Sequence, residues 1–289
     1  MARRALLIVN GKSRSGKEAQ SRVIEGLRRL GIDPVHKECS SREELPALIA
    51  REGVDVDMVV VGGGDGTLNA AAPGVAKLKR PLGILPLGTA NDLARTLEIP
   101  EDIDSAMRII AGGKIRSIDA GSVNDVMFFN VASVGLSAEL SQGLTADIKR
   151  RFGKLGYAVA AVRVLARARP FRAEISGGGR NARSLTLQVA VGNGRYYGGG
   201  NVVEKGATIV DESLRLYSLE FARAWRMVLM FRSFRTGEHG ALNEVLTLRG
   251  DEFEIRTRRP RPINADGEIV TQTPAVFRVL PKAIDVIVP

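Results

Sequence analysis

The stretch Val59-Val-Val-Gly-Gly-Gly-Asp-Gly-Thr-Leu-Asn69 runs an unbroken apolar strand into a cluster of glycines and then into the start of a helix. Glycines at Gly62, Gly63, Gly64 and Gly66 let backbone N–H groups approach an anion closely, and the helix that follows presents the positive end of its dipole. Such a turn suits a phosphate. Asp65 is then an acceptor set beside an expected anion. A divalent cation removes that conflict, because the carboxylate can hold the metal or its water while Thr67 hydrogen-bonds a phosphate oxygen, as in a Mg2+-nucleotide. Read structurally, the same residues are a tight turn with Asp65 as a helix cap.

A second loop of the same kind, Leu85-Pro-Leu-Gly-Thr-Ala-Asn-Asp92, follows the next apolar run. Two such loops at the carboxyl ends of neighbouring strands would face one crevice, the place where open α/β sheets bind ligands. Thr89, Asn91 and Asp92 are candidates for ligand contact, with helix capping the equal alternative for Asn91. Around these loops, Ala5 to Val9, Val56 to Val61 and Leu82 to Leu85 read as buried strands. Glu18 to Leu30, Leu45 to Ala50, and segments from about Leu68, Asn91 and Ile103 read as helices. Ser40-Ser-Arg-Glu-Glu44 has the spacing of a capping box before Leu45. The alternation predicts a doubly wound, mostly parallel sheet with helices on both faces. Two near misses narrow the class. Gly62 to Thr67 lacks the third glycine of a dinucleotide fingerprint, and Gly11-Lys-Ser-Arg-Ser-Gly-Lys-Glu18 places Glu18 where a P-loop needs a hydroxyl.

Beyond about residue 120 the pattern turns β-rich, with candidate strands Val126 to Val131, Leu185 to Val191, Leu214 to Leu219, Val245 to Leu248, Phe253 to Arg256 and Val276 to Val279. A second, antiparallel domain is predicted there, interrupted by helical passages at Ala146 to Ala168 and about Arg223 to Phe234. Asn264-Ala-Asp-Gly-Glu268 is a polar turn between strands that carries two carboxylates. The 289 residues allow one large domain or two ordinary ones, at roughly 100–200 residues each. One cysteine and two histidines exclude an internal disulfide and a Cys/His zinc cluster, and a reducing cytosol fits. A formal charge of +10 predicts attraction to an anionic partner. Aromatics at 5%, with no basic segment interleaved with stacking rings as a single-strand binder requires, argue against nucleic acid. No apolar run approaches the roughly 18–20 residues of a membrane span, so any membrane contact is expected to be peripheral.

Taken together, Gly62-Gly-Gly-Asp-Gly-Thr67, Leu87-Gly-Thr-Ala-Asn-Asp92, Asp119, Gly192-Asn-Gly-Arg195 with Gly198-Gly-Gly200, and Asp266-Gly-Glu268 stand in the order seen in the diacylglycerol kinase and sphingosine kinase catalytic-domain family. The chain resembles most the soluble bacterial lipid kinases of that family, including an Asn10-Gly-Lys-Ser13 opening, and the resemblance spans essentially its whole length. It implies an N-terminal doubly wound α/β nucleotide-binding domain, residues 1–120 with 282–289, and a C-terminal antiparallel β-sandwich, residues 121–281. ATP would be bound by Asn10, Gly62, Gly63, Gly64, Asp65, Gly66, Thr67, Gly88, Thr89 and Asn91, with Ser40 as a further nucleotide contact.

For catalysis, a lipid hydroxyl must lose a proton while attacking the γ-phosphate, and a carboxylate near the phosphates is the natural base. The resemblance assigns this to Asp266 and Glu268, leaving open which is the base, with Asp65 a further catalytic candidate. Asp65, Asp92 and Asp119 would orient Mg2+ or its waters. A second cation position of the bacterial members falls on Thr208, Asp211 and Ser213, where Glu212 replaces a glycine of the family pattern. The expected activity is phosphoryl transfer from ATP to a lipid hydroxyl of diacylglycerol, phosphatidylglycerol, ceramide or sphingoid type. The alternatives are a soluble-substrate kinase such as an NAD kinase, or a silent lipid- or nucleotide-binding regulator. A cytoplasmic location is expected, with peripheral contact to anionic membrane through Lys149 to Arg169 and Arg223 to Arg235. Oligomeric state is left open.

Overall fold

The computed structural model describes residues 2–9, 14–143, 168–193, 196–197, 201–202, 208–220 and 245–289. The chain divides into two compact units, residues 1–120 with 281–289 and residues 121–280.

In the first unit the order is β1 (Arg3–Val9), α1 (Arg14–Arg29), β2 (Ile32–His36), α2 (Leu45–Glu52), β3 (Met58–Gly63), α3 (Asp65–Leu78), β4 (Leu82–Pro86), α4 (Asp92–Thr96), α5 (Ile103–Gly112) and the start of β5 (Ile115–Val123). Ala5, Leu6 and Leu7 of β1 and Val59, Val60 and Val61 of β3 have no exposed surface, as strands covered on both faces require. Their neighbours are parallel: β2 and β3 flank β1, and β4 lies beyond β3. The sheet is doubly wound because the chain moves outward from β1 to β2, then returns to lay β3 and β4 on β1's other side. Helix α1 packs with α5, and α2 with α3. Gly74 permits the second pairing, since a Cβ there would lie 2.9 Å from Pro46 Cα.

Three local expectations need correction. Strand β2 escapes pattern reading because Pro34 sits inside it, which the sheet tolerates because β2 is an edge strand. The capping-box residues do not cap α2. That helix begins at Leu45 with Glu44 as N-cap, no side-chain cap bond, and a proline in its first turn. The helix expected from Asn91 is the five-residue α4, ended at Leu97 ahead of Glu98 in the left-handed region at φ 60°.

The second unit holds the remainder of β5, β6 (Val126–Phe128), β7 (Val131–Gly135), α6 (Leu136–Gly143), β8 (Phe171–Gly177), β9 (Arg180–Thr186), β10 (Gln188–Gly192), β11 (Tyr196–Tyr197), β12 (Asn201–Val202), β13 (Leu214–Leu219), β14 (Val245–Gly250), β15 (Glu252–Thr257), β16 (Pro262–Ala265), β17 (Glu268–Gln272) and the first part of β18 (Ala275–Ile287). One sheet runs β14-β13-β10-β7-β16-β17, antiparallel throughout. The other sets β8 between β9 and β15, and β15 against β18. Their inner faces share one core, with Val134, Val189 and Leu216 from the first and Ile175, Phe253 and Phe277 from the second. This is an antiparallel sandwich.

Two predicted strands are each broken in two. Val126 to Val131 divides into β6 and β7 at Phe129 and Asn130, whose amides turn to a carboxylate from β16's end. Leu185 to Val191 divides at Leu187, where Thr186 Oγ1 donates to Leu219 O and accepts from Gln188 N. The passages Ala146 to Ala168 and Arg223 to Phe234 fall outside the described residues, apart from Ala168.

Candidate active site

Strand β3 delivers the chain into Gly63 and Gly64, and α3 starts at once on Asp65 with Gly64 as its N-cap. Its N-cap glycine has no side chain to cap this fourteen-residue helix, so its first turn presents backbone N–H groups and the positive dipole end. The loop after β4 is bound to it. Leu87 N donates to Gly63 O at 3.0 Å, and a Cβ on Gly88 would stand 2.4 Å from Gly64 Cα. No side chain fits between these two glycines, so the two loops form a single body.

Asp65 completes that joint. Its Oδ2 accepts from Asp92 N at 3.1 Å and its Oδ1 from Leu93 N at 3.0 Å, so the carboxylate of the first loop caps the helix that opens the second. Asn91 occupies the N-cap position of α4 but makes no side-chain cap bond. It adopts φ 50° and turns back, accepting from Gly88 N at 2.9 Å and donating to Gly88 O at 3.1 Å. Asn91 therefore does not cap α4 through its side chain but staples the Gly88 turn. Thr89 is exposed at the turn's crest and Thr67 half-buried in α3's first turn. Asp92 is buried and lies 3.8 Å from Arg95, a cation that the pattern reading did not single out. Asp119, also buried, accepts from Lys282 N at 2.9 Å and so ties the returning β18 to β5. Ser40 is exposed, four residues beyond the end of β2. Asn10 lies outside the described residues.

In the second unit, Asp266 and Gly267 are the two loop residues of the β16–β17 hairpin, at φ 45° and 97°. Both positive values mark a turn whose twist matches its strands, the reason Asp-Gly is favoured there. The Asp266 carboxylate does more than turn. It accepts from Phe129 N at 2.8 Å, from Asn130 N at 3.1 and 3.2 Å, and from Val131 N at 2.8 Å. Asp266 N in turn donates to Val131 O. Asn193 grips the same segment, donating from its side chain to Phe129 O and from its backbone to Asn130 O. Gly267 N is held by Asn264 Oδ1 at 3.0 Å. Glu268, at the start of β17, is exposed on this fixed hairpin. Asn130 was missed by sequence reading; it is buried, and its side-chain oxygen has no hydrogen-bond partner among the described residues.

The expected cation position takes a different form. Asp211 Oδ2 lies 2.7 Å from Arg215 Nη1 and 3.9 Å from Arg249 Nη2, while its Oδ1 accepts from Ser213 Oγ at 2.9 Å. Thr208 is exposed and Ser213 buried. Glu212 adopts φ 51°, the left-handed conformation a glycine would supply, so the turn survives the replacement. A carboxylate already engaged by two guanidinium groups does not fit a divalent cation. Among the described residues, no cluster of three His, Cys, Asp or Glu forms a metal cage, and no helix is long and apolar enough to cross a membrane. Arg195 and Gly198 to Gly200 lie outside the described residues.

A doubly wound domain with two joined glycine loops, followed in the chain by an antiparallel sandwich with a carboxylate hairpin, carries the parts that a nucleotide-dependent phosphotransferase needs. Comparison with known proteins makes this specific. Residues 4–123 match the diacylglycerol kinase catalytic domain, and residues 130–288 match the YegS C-terminal NAD kinase beta sandwich-like domain. The chain is 31% identical over 288 residues, 97% of its length and 94% of the relative's, to "Probable lipid kinase YegS-like" of Enterobacter sp. (strain 638). It is 30% identical over 238 residues to the diacylglycerol kinase of Bacillus subtilis (strain 168), covering 81% of this chain and 78% of that one. The crystal structure of a diacylglycerol kinase from Bacillus anthracis str. Sterne superposes with a TM-score of 0.79 at 25% identity, over 99% of this chain and 97% of that one. The chain belongs to the diacylglycerol kinase and YegS family of lipid kinases. It is an ATP-dependent kinase.

Proposed function

We propose that this chain transfers the γ-phosphate of ATP to a hydroxyl of a membrane lipid, with diacylglycerol the first acceptor to test, and that Glu268 is the general base. The observation that carries the reading is the joint between the two glycine loops, where Gly64 and Gly88 meet backbone to backbone and Asp65 caps α4. A cradle from which side chains are excluded suits the close approach of phosphates. Diacylglycerol is put first because the Bacillus subtilis relative carries that name.

Bound with Mg2+, ATP supplies the transferable phosphoryl group and the metal charge that offsets its oxygens. The amides of Gly62 to Thr67 and the N-terminus of α3 hold the phosphates, with Thr67 and Thr89 as hydroxyl donors. Asn91 keeps the Gly88 turn in shape, and Asn10 and Ser40 border the nucleotide. Asp92 and Asp119 would hold the metal through its waters, consistent with the preference of Mg2+ for one or two carboxylates plus phosphate rather than a protein cage. Asp65 acts as a positioning residue for the loops. In the hairpin, both oxygens of Asp266 are taken by backbone amides, so it fixes the turn, and Glu268 accepts the proton of the lipid hydroxyl. The enzyme works at the cytoplasmic membrane face, drawn to anionic headgroups by its net charge of +10.

The test is incubation of the purified protein with γ-labelled ATP, Mg2+ and mixed vesicles containing each candidate lipid, beside NAD, followed by separation of organic and aqueous products. Label in a lipid supports the proposal. Label in NAD alone would refute it.

A further inference from the structure

The ion cluster around Asp211 carries a conclusion that rests on the second unit alone and does not depend on which lipid is phosphorylated. Arg215 and Arg249 are paired directly across β13 and β14. Leu214 and Leu216 face the sandwich core, so Arg215 lies on the other face of β13, and Arg249 shares that face as its cross-strand partner. Like charges set opposite one another repel, and a buried guanidinium without a counter-ion is costly. Arg215 is 8% exposed.

Asp211 supplies a counter-charge to both arginines. Its Oδ2 takes Arg215 at 2.7 Å and reaches Arg249 at 3.9 Å; Ser213 donates to Oδ1 and accepts from Arg249 Nε at 3.0 Å. Both carboxylate oxygens and the Ser213 hydroxyl are thereby used inside the cluster. With the neighbouring Glu212 counted, Asp211, Glu212, Arg215 and Arg249 balance to zero net charge among the described residues, which leaves these four groups no excess of negative charge to attract a divalent ion. A hard cation at Asp211 would also stand against a guanidinium bound to the same oxygen.

We propose that Arg215 is the built-in counter-ion of the 208–213 turn, replacing by a covalently attached cation the divalent ion expected there. The consequence is a sandwich whose stability is indifferent to free divalent cations, with the enzyme's divalent demand confined to its nucleotide.

Two measurements on the full chain without nucleotide test this: equilibrium dialysis with radiolabelled Ca2+ and with Mn2+, and thermal melting in a chelator against millimolar Ca2+, Mg2+ or Mn2+. Wild type is expected to melt identically in all of them and to bind no ion that depends on Asp211. Arg215→Met is expected to melt lower in chelator, to regain stability with Ca2+, and to bind it at least ~10-fold tighter than wild type. Arg215→Met combined with Asp211→Asn removes both charges and is expected to melt above the single variant in chelator and to ignore cations. If Arg215→Met does not fold, this double variant decides alone: a folded, cation-indifferent protein supports the proposal and an unfolded one overturns it. Saturable binding of one divalent ion to wild type, abolished by Asp211→Asn, overturns it. A folded Arg215→Met that gains no cation response also overturns it.

Discussion

Replacing Asp65 by alanine strips α4 of its cap. Two hydrogen bonds vanish, from Asp92 N and Leu93 N, and both donors belong to residues nearly withdrawn from water, at 5% and 0% exposure. Losing an N-cap side chain costs ~0.5–2 kcal/mol, and a hydrogen bond to a charged acceptor is worth ~1.5–3 kcal/mol. Two bonds sharing one carboxylate do not add in full. Because α4 is a single turn whose N-cap residue offers no substitute bond, the loss falls at about 2–3 kcal/mol. At ~2–4 °C per kcal/mol, the melting transition of the first unit drops by about 4–12 °C. Asp65→Asn keeps one acceptor oxygen and turns an amide donor toward the other N–H, so its loss is smaller than that of Asp65→Ala. Urea unfolding followed by circular dichroism, without nucleotide, reads these values. An Asp65→Ala protein within ~0.5 kcal/mol of the parent, the range of neutral surface changes, would refute the capping role.

Asp266→Ala removes the acceptor of three buried amides and is expected to lower stability by about 2–4 kcal/mol while reducing turnover; melting curves and initial rates check both, and unchanged melting would contradict the positioning role. Gly88→Ala forces a Cβ to within 2.4 Å of the Gly64 backbone, so the loops must part, and calorimetry should show ATP affinity reduced at least ~10-fold with the second unit's unfolding unaltered. Asp102 caps α5 by accepting from Ser105 N at 2.8 Å, and the bonds from Ser105 hold its carboxyl below the ordinary value of 3.8. A carboxylate whose folded value is depressed stabilises the fold above its unfolded value and loses that contribution as pH falls through the folded one. Asp102→Ala should therefore lower stability at neutral pH and flatten the dependence below pH 3.8, as acid titration of unfolding would show.

Much of the first unit is legible because parallel strands buried on both faces leave continuous apolar runs, as at Ala5 to Val9 and Val59 to Val61. In the second unit β13 was read at its true limits, Leu214 to Leu219. The two broken strands of the second unit share a cause: groups diverted by distant partners. Phe129 and Asn130 look like strand residues until Asp266, more than 130 positions away, draws their amides out of line. The same holds for the candidate site. Spacing identifies Asp65, Asn91 and Asp266 as unusual polar residues beside glycines, yet not that Asp65 caps a helix 27 positions on, or that Asn91 folds back onto Gly88. The Asp211 cluster was beyond sequence reading because Arg249 reaches Ser213 only through strand register.

The most direct test of the account is the rate of phosphoryl transfer to lipid by wild type and by Glu268→Gln, with melting and ATP affinity measured on the same preparations. The account predicts label in a lipid product of the wild type and a rate lower by ~10²–10⁴-fold in the variant, with melting and ATP affinity unchanged. Lipid labelled by Glu268→Gln at the wild-type rate would contradict it.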